Sequence, residues 1–131
     1  MDLEIKNKFK FSKMSIEHLN TCAPLLRALM IYSFATSDID FSILCGHRGK
    51  DEQNAAYRDG RSKLKFPNSN HNALPSNAVD IAPYPIDWDN INSFYSLSKH
   101  IKRVAKFLKI DIIWGGDWES FKDMPHYELK K

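Results

Sequence analysis

Apolar residues recur at helical spacing in some parts of the chain and at strand spacing in others. Between Leu25 and Met30 they fall on one face of a predicted helix over residues 23–34, which carries Pro24 in its first turn. Other helices are predicted after Ser15 as N-cap, over 51–59, and from Asp87 or Asp89 to about Leu108. Short apolar runs predict strands over 41–45, 78–81, 110–114 and 126–129.

The predicted chain begins with helices and continues with strands, and one long helix lies between the strands. This order predicts the α+β class, with a small, mostly antiparallel sheet flanked by helices. No internal repeat, low-complexity segment or Gly/Ser linker divides the sequence, so we interpret residues 1–131 as a single domain. Residues 61–77 are polar and contain Pro67 and Pro75, which predicts one long loop. Unstructured stretches of this length are uncommon in compact domains and often carry function.

The composition is that of an ordinary globular protein: 131 residues, 43% hydrophobic and 27% charged, with a net charge of +3. No apolar run approaches the roughly 20 residues of a membrane-spanning helix, and residues 1–6 lack the plan of a signal peptide. We therefore expect a protein made and kept in the cytoplasm, where Cys22 and Cys45 would be buried thiols. The mild positive charge favours anionic polymers such as a bacterial wall or nucleic acid, without deciding between them.

Three side chains are suited to binding a metal ion. His71 lies in the long polar loop, Asp80 lies in the predicted strand over 78–81, and His126 begins the last strand. A catalytic zinc usually has three protein ligands and one position open to water, and both histidine and carboxylate serve as ligands. His71, Asp80 and His126 therefore predict a zinc site at loop and strand ends. Water bound there would have its pKa lowered to about 7, which is the chemistry of a zinc peptidase.

Hydrolysis at such a site needs a general base close to the water, and Asp123 and Glu128 are both candidates. In a regular strand, Glu128 shares a face with His126, whereas Asp123 does not. Pro125 disfavours regular pairing, however, and a turn there would bring Asp123 to the metal. The spacing leaves both assignments open.

Peptide hydrolysis also needs positive charge at the developing oxyanion. Arg48 follows a predicted strand in a glycine-bounded loop and is placed to supply this charge. Gln53, in the helix that follows, would help to orient Arg48 or the substrate. The alternative interpretation of a lone arginine after a strand is a solvated surface charge.

Four motifs occur in order along the chain: Gly46-His47-Arg48 with Gln53, Ser69-Asn70-His71 with Ala78-Val79-Asp80, Trp114-Gly115-Gly116-Asp117-Trp118, and Asp123-Met124-Pro125-His126-Tyr127-Glu128. Together they resemble the VanY-type zinc D-Ala-D-Ala carboxypeptidases, and especially their phage branch, the L-alanyl-D-glutamate endopeptidase endolysins. The resemblance covers residues 11–130, nearly the whole chain, in the family's order.

The resemblance implies that His71, Asp80 and His126 bind one zinc ion per chain. It also implies that Asp123 is the catalytic base, which leaves Glu128 as a residue that supports a metal ligand.

The same resemblance implies that Arg48 stabilises the transition state and that Gln53 and Ser69 line the substrate-binding site.

One departure from the family's commoner pattern is visible. That pattern has seven residues from histidine to aspartate, with a glycine between them, whereas here the interval from His71 to Asp80 is nine and Ser76 stands at the glycine position. We interpret the difference as a longer loop of a phage-type subgroup.

The activity implied by the resemblance is hydrolysis of peptidoglycan stem peptides at the bond between L-Ala and D-Glu, by a monomeric phage endolysin that causes host lysis. Such an enzyme would remain in the host cytoplasm until lysis and would need a separate membrane pore to reach the wall. It would neither insert into the membrane nor bind nucleic acid. No separate wall-binding domain is expected.

Three other functions are alternatives to this one. A related zinc carboxypeptidase would remove a terminal D-Ala and would need a pocket around the substrate's C-terminus. A zinc-stabilised wall-binding module would have no evident need for both Asp123 and Arg48. A nucleic-acid binder would need clustered basic residues with exposed aromatics, and only the predicted helix that contains Lys99 and Lys109 comes near that pattern.

Overall fold

The computed structural model describes Ile5 and residues 9–131, and it confirms the predicted α+β class. The helices are α1 (Lys13–Leu19), α2 (Pro24–Thr36), α3 (Lys50–Arg58) and α4 (Ile91–Leu108). The strands are β1 (Phe41–Cys45), β2 (Ala78–Pro83), β3 (Ile112–Trp114) and β4 (His126–Leu129). Two short 3₁₀ turns span Asn70–Asn72 and Gly115–Asp117.

The strands form one antiparallel sheet in the order β1-β2-β4-β3. At its centre, Val79 pairs with Tyr127 and Asp80 pairs with His126. Successive side chains of a strand point to opposite faces, so these two neighbouring pairs lie on opposite sides of the sheet. Val79 and Tyr127 are buried in the core, and Asp80 and His126 therefore lie on the other face.

Helices cover the apolar face of the sheet. Helix α1 packs on β1, and α4 contacts α2, β2 and β3. The long helix α4 buries apolar residues at helical spacing, among them Leu97, Ile101 and Val104. Burying one such side chain stabilises a fold by about 1.5–3 kcal/mol, so the helical layer holds the sheet in place. Among the residues that the structure describes, no helix is long and apolar enough to cross a membrane.

Strand β1 has a bulge between Ile43 and Cys45. Ile43 pairs with Ile81 and is buried in the core, whereas Cys45 is paired with Asp80. A bulge adds a residue to one strand and changes the side to which the following residues point. Cys45, expected to be a buried thiol, is only partly buried and lies beside the polar face, while Cys22 is buried as expected.

The start of α1 differs from the prediction. Ser12, not Ser15, is the N-cap, and its hydroxyl accepts a hydrogen bond from the Ser15 amide. Ser15 is buried inside the helix, and its hydroxyl accepts a hydrogen bond from the amide of Ile43 at 3.0 Å. Ser15 therefore joins α1 to β1 instead of capping the helix.

Helix α4 and strand β3 also begin later than predicted. Neither Asp87 nor Asp89 caps α4: the side chain of Asn90 accepts from the Ser93 amide, while Asp87 accepts from the Asp89 amide in the preceding turn. Strand β3 begins at Ile112 rather than at residue 110. The predicted loop over 61–77 is confirmed except for its 3₁₀ turn.

We expect Ser15→Ala to lower the free energy of unfolding by about 1–3 kcal/mol, because it leaves the buried amide of Ile43 without an acceptor. Urea denaturation of both proteins measures the difference. Ser96→Ala, at an exposed position of α4, is the matched control and should change stability by less than about 0.5 kcal/mol. Equal stabilities of the two variants would contradict the role given to Ser15.

Candidate active site

Three metal-ligating side chains meet on the polar face of the sheet. Asp80 on β2 lies opposite His126 on β4, and His71 reaches them from the 3₁₀ turn in the long loop. His71 Nε2 lies 3.2 Å from Asp80 Oδ1 and 3.2 Å from His126 Nδ1. His126 Nδ1 lies 3.3 Å from Asp80 Oδ1. The three atoms form a nearly equilateral triangle, called the donor triangle below.

The second nitrogen of each imidazole is held by an oxygen atom. His71 Nδ1 lies 2.8 Å from the Gly46 carbonyl oxygen, and His126 Nε2 lies 2.7 Å from Glu128 Oε1. A carbonyl and an ionised carboxylate can only accept hydrogen bonds, so these two ring nitrogens carry the protons. In neutral imidazoles, the lone pairs of His71 Nε2 and His126 Nδ1 are then the ones that face Asp80.

The donor triangle fits a metal ion. When both imidazole rings are neutral, their two lone pairs and a carboxylate oxygen face one another with no proton between them. A cation placed among the three atoms stabilises this arrangement. Nitrogen and oxygen ligands bind zinc at about 2.0–2.2 Å, which separates neighbouring ligands of a tetrahedron by about 3.3–3.6 Å. Cys45 with His71 and Asp80, and Asp123 with Asp80 and His126, also form groups of potential ligand atoms within 4.8 Å of one another. The site is compatible with a metal cofactor.

The same lone pairs also attract protons. Burial opposes the charged ring of His71, but hydrogen bonds to Asp80 and Cys45 outweigh it and raise the pKa of His71 to about 10. Burial also opposes the charge on His126, yet hydrogen bonds to Asp80 and Glu128 raise its pKa to about 8. Burial disfavours the ionised form of Asp80 as well, but hydrogen bonds from both histidines hold its pKa well below the usual range. Protons and a metal ion therefore compete for this site.

A turn brings Asp123 to the donor triangle. The His126 amide donates to the Asp123 carbonyl at 3.1 Å and closes the turn at Met124 and Pro125. Asp123 Oδ2 lies 3.9 Å from His126 Nδ1, and the side chain remains 30% exposed. Burial and the neighbouring charge of Asp80 raise the pKa of Asp123. The carboxylate is thus close to the donor atoms and still open to the solvent.

Arg48 borders the donor triangle and is held from two sides. Its Nη1 atom donates to Gln53 Oε1 at 3.1 Å, and its Nη2 atom lies 3.5 Å from Asp80 Oδ2. Gln53 is fully buried, and its amide nitrogen donates to the Ser62 hydroxyl and the Leu64 carbonyl. Gln53 was expected to orient Arg48 or the substrate and to line the substrate-binding site. It contacts Arg48 and the loop after α3 and does not face the solvent.

The donor triangle opens into a cleft of about 520 Å³. Ser69 lines this cleft, and its hydroxyl accepts a hydrogen bond from the His71 amide at 3.2 Å. Trp118 also lines it, with its ring centroid 5.2 Å from that of His126. Trp114 is buried in the core, so the two tryptophans divide between the core and the cleft.

Comparison with known proteins gives the family of the chain. The sequence model of a family described as phage L-alanyl-D-glutamate peptidase matches residues 7–130. The chain belongs to the phage L-alanyl-D-glutamate peptidase family. It is 32% identical over 126 residues to the L-alanyl-D-glutamate peptidase of Escherichia phage T5, and the match covers 94% of this chain and 90% of that protein.

Two bacterial proteins are also similar. The peptidoglycan L-alanyl-D-glutamate endopeptidase CwlK of Bacillus subtilis is 31% identical over 110 residues, which are 72% of this chain and 64% of CwlK. The crystal structure of the Serratia marcescens L-Ala D-Glu endopeptidase ChiX has the same fold, with a TM-score of 0.74 and 27% identity over 95% of this chain and 92% of that one.

Asn70 belongs to the site of this phage-family peptidase, although the sequence pattern did not indicate it. Its Nδ2 atom donates to Glu128 Oε2 at 2.8 Å, while the other oxygen of Glu128 holds His126. Glu128 therefore contacts the ring nitrogen of His126 that points away from the donor triangle. The hydrogen bond from His126 also lowers the pKa of Glu128.

Asn72 was missed as well, and it supports the arginine of the peptidase. Its Nδ2 atom donates to the Arg48 carbonyl at 3.0 Å and to Gln53 Oε1 at 3.1 Å. The available signal was the spacing from Ser69 to Asn72, which is that of a capping box, with asparagine in place of the usual glutamate or glutamine. The structure closes that box with reciprocal hydrogen bonds, and this fixes the turn that presents His71.

We expect Gly115→Ala to destabilise the peptidase by about 1–3 kcal/mol, because it overpacks the turn before β4. A Cβ at Gly115 would meet the Asp123 carbonyl oxygen and would lie 3.1 Å from the His126 Cβ. Gly49→Ala is the matched control: its Cβ would have Glu52 Oε1 at 3.8 Å as its nearest neighbour. The control should cost less than about 1 kcal/mol. Urea denaturation measures both, and equal losses would rule out the proposed clash.

Proposed function

We propose that the protein is a zinc peptidase that hydrolyses the bond between L-Ala and D-Glu in peptidoglycan stem peptides, as a phage endolysin that causes host lysis. The observation that carries the proposal is the convergence of His71, Asp80 and His126 below an open cleft, with Asp123 and Arg48 beside them. The bond is inferred from the family and from the relatives named for the same linkage.

His71, Asp80 and His126 would hold one zinc ion per chain. Three protein ligands of nitrogen and oxygen type are characteristic of catalytic zinc, whereas structural sites usually have four. When bound, zinc would polarise the scissile carbonyl and increase the acidity of water next to it. The chain's contribution is orientation, since Gly46 and Glu128 fix which nitrogen of each imidazole is presented.

Asp123 is the general base of the proposed mechanism. It would accept a proton from the attacking water and pass it to the leaving amine of D-Glu. Its exposure and its position beside His126 support this role, and a raised pKa suits a carboxylate that must hold a proton in transit. Glu128 is a weaker candidate because both of its oxygens are engaged, one by His126 and one by Asn70.

Arg48 would stabilise the oxyanion that develops on the scissile carbonyl. A donor that is already oriented needs no rearrangement when this charge forms, which is the source of such stabilisation. Gln53 acts through Arg48 because it fixes the guanidinium and is itself buried. Ser69, on the cleft wall, would contact the substrate directly.

In this proposal the partner of the protein is the bacterial wall, and the enzyme works there as a monomer. It would be held in the host cytoplasm until lysis. A separate membrane pore would then be required, because the wall lies on the other side of the host membrane.

Digestion of purified peptidoglycan, followed by mass analysis of the fragments, tests the proposal. We expect zinc-loaded protein to create new N-terminal D-Glu and chelated protein to create none. Release of free D-Ala would instead identify a carboxypeptidase. Absence of cleavage with one zinc still bound per chain would contradict enzymatic function and favour a wall-binding module.

Substitutions separate the metal ligands from the base. Alanine at His71, Asp80 or His126 is expected to lose zinc and activity together. Asp123→Ala is expected to keep zinc but to lower kcat by roughly 10²–10⁴-fold, the usual contribution of a general base. Zinc per chain and kcat are measured on the same preparations.

Glu128→Ala is the control for Asp123→Ala, because it removes the other carboxylate of the same motif. Losing the partner of His126 should weaken zinc binding by about 10–100-fold, while activity persists at saturating zinc. A zinc-loaded but inactive Glu128→Ala protein, together with an active Asp123→Ala protein, would show that Glu128 is the base.

A further inference from the structure

The proposed substrate carries a negative charge next to the bond that is cleaved. D-Glu is joined to the following residue of the stem peptide through its γ-carboxyl group, so its α-carboxylate is free unless it is amidated. This carboxylate is attached to the same carbon atom as the scissile nitrogen. A cleft that hydrolyses the bond must therefore accommodate an anion beside the reacting atoms.

The floor of the cleft is poorly suited to a further anion. Asp80, Asp123 and Glu128 all line it. Arg48 also lines it, but its guanidinium is already held by Asp80 and Gln53. Bound zinc and Arg48 would together only offset the charge of these three acids, so no net positive charge would remain for a substrate carboxylate unless other cations faced it.

Two lysines on neighbouring loops supply such cations. Lys63, in the loop after α3, and Lys122, in the loop before β4, are both exposed and both line the cleft. The Lys63 ammonium lies 5.2 Å from the ring centroid of Phe121, the residue before Lys122, so the two loops meet at this end of the cleft. Lys122 Nζ donates to the Gly116 carbonyl at 3.1 Å. Within the part of the chain that the structure describes, neither ammonium pairs with a carboxylate.

Phe121, which makes the contact between the loops, has an unusual backbone conformation. Phe121 has φ 49°, in the left-handed region that bulky residues seldom occupy. Its ring lines the cleft and lies under the Lys63 ammonium. Such conformations persist where surrounding contacts hold them, and they are concentrated at functional sites. Arg61 also lines the cleft, but in contrast to the two lysines it is paired with a carboxylate, that of Asp59 at 3.2 Å.

We infer that Lys63 and Lys122 bind the free α-carboxylate of D-Glu and so select stem peptides in which this group is not amidated. The inference rests on the proposed function, because it places a stem peptide in the cleft. An ammonium and a carboxylate attract each other as two opposite full charges, whereas a carboxamide is neutral, so the carboxamide gains less from the same lysines.

The test compares two synthetic stem peptides that differ in one group, with the α-carboxylate of D-Glu free in one and converted to the carboxamide in the other. The zinc-loaded protein is expected to have a kcat/KM roughly tenfold higher for the acid peptide. Lys63→Gln and Lys122→Gln should each reduce this acid-to-amide ratio by about threefold or more, and the double variant should bring it close to one.

Lys65→Gln is the matched control, because it makes the same change two positions along the chain. Its ammonium lies 5.0 Å from the Tyr57 ring centroid, at a different surface depression from the cleft. This variant should keep the acid-to-amide ratio of the unmodified protein. Lys63→Arg, which keeps the charge, should retain most of the ratio.

Two results would overturn the inference alone: equal kcat/KM of the unmodified protein for both peptides, or an unchanged ratio in both glutamine variants. Failure of the zinc-saturated, unmodified protein to cleave either peptide would overturn the proposed function and the inference with it. Thermal unfolding midpoints measured beside the kinetics show whether each variant is folded.

Discussion

The pairing of Asp80 with His126 across β2 and β4 is the constraint on which the site depends. A shift of one residue in this register would move one of the two side chains to the other face of the sheet. The register is held by the neighbouring pair, Val79 and Tyr127, whose side chains are buried on the apolar face. Hydrophobic packing against the helices therefore determines where two of the three donor atoms lie, even though no core residue takes part in the chemistry.

Burial of polar groups is the second requirement of this site. His71, His126 and Gln53 are all nearly inaccessible to solvent, and a polar group buried without a partner costs free energy. Each of the three has hydrogen-bond partners, and for the histidines these partners also select the tautomer. The interactions that make burial tolerable are thus the ones that aim the lone pairs at Asp80. A metal ion bound here would displace protons from those lone pairs, so the same arrangement would couple metal binding to proton release.

The strands could be predicted because short apolar runs are a local pattern, and this placed Asp80 and His126 at or near strand ends. The face of the sheet to which they point became clear only from the pairing of β2 with β4. The position of Asp123 could not be derived from spacing, since it depends on a turn that the sequence permits without requiring. Ser15 looked like a helix cap because its partner, Ile43, is remote in sequence. Gln53 looked accessible because its burial is caused by the loop after α3, which no local pattern encodes.

The long connection between His71 and Asp80 departs from the commoner family pattern, yet it leaves the donor triangle intact. Ser76 is buried, and its backbone is bonded to Thr21 and to Ala23, each at 2.8 Å, which ties the end of the loop to the segment between α1 and α2. Loop-closure entropy grows slowly with length, so additional residues between two fixed points cost little. The extra residues lie between two anchored, buried positions, His71 and Ser76, and do not line the cleft. Because the loop is fixed on both sides of the insertion, the chain can vary in length there while the ligands keep their positions.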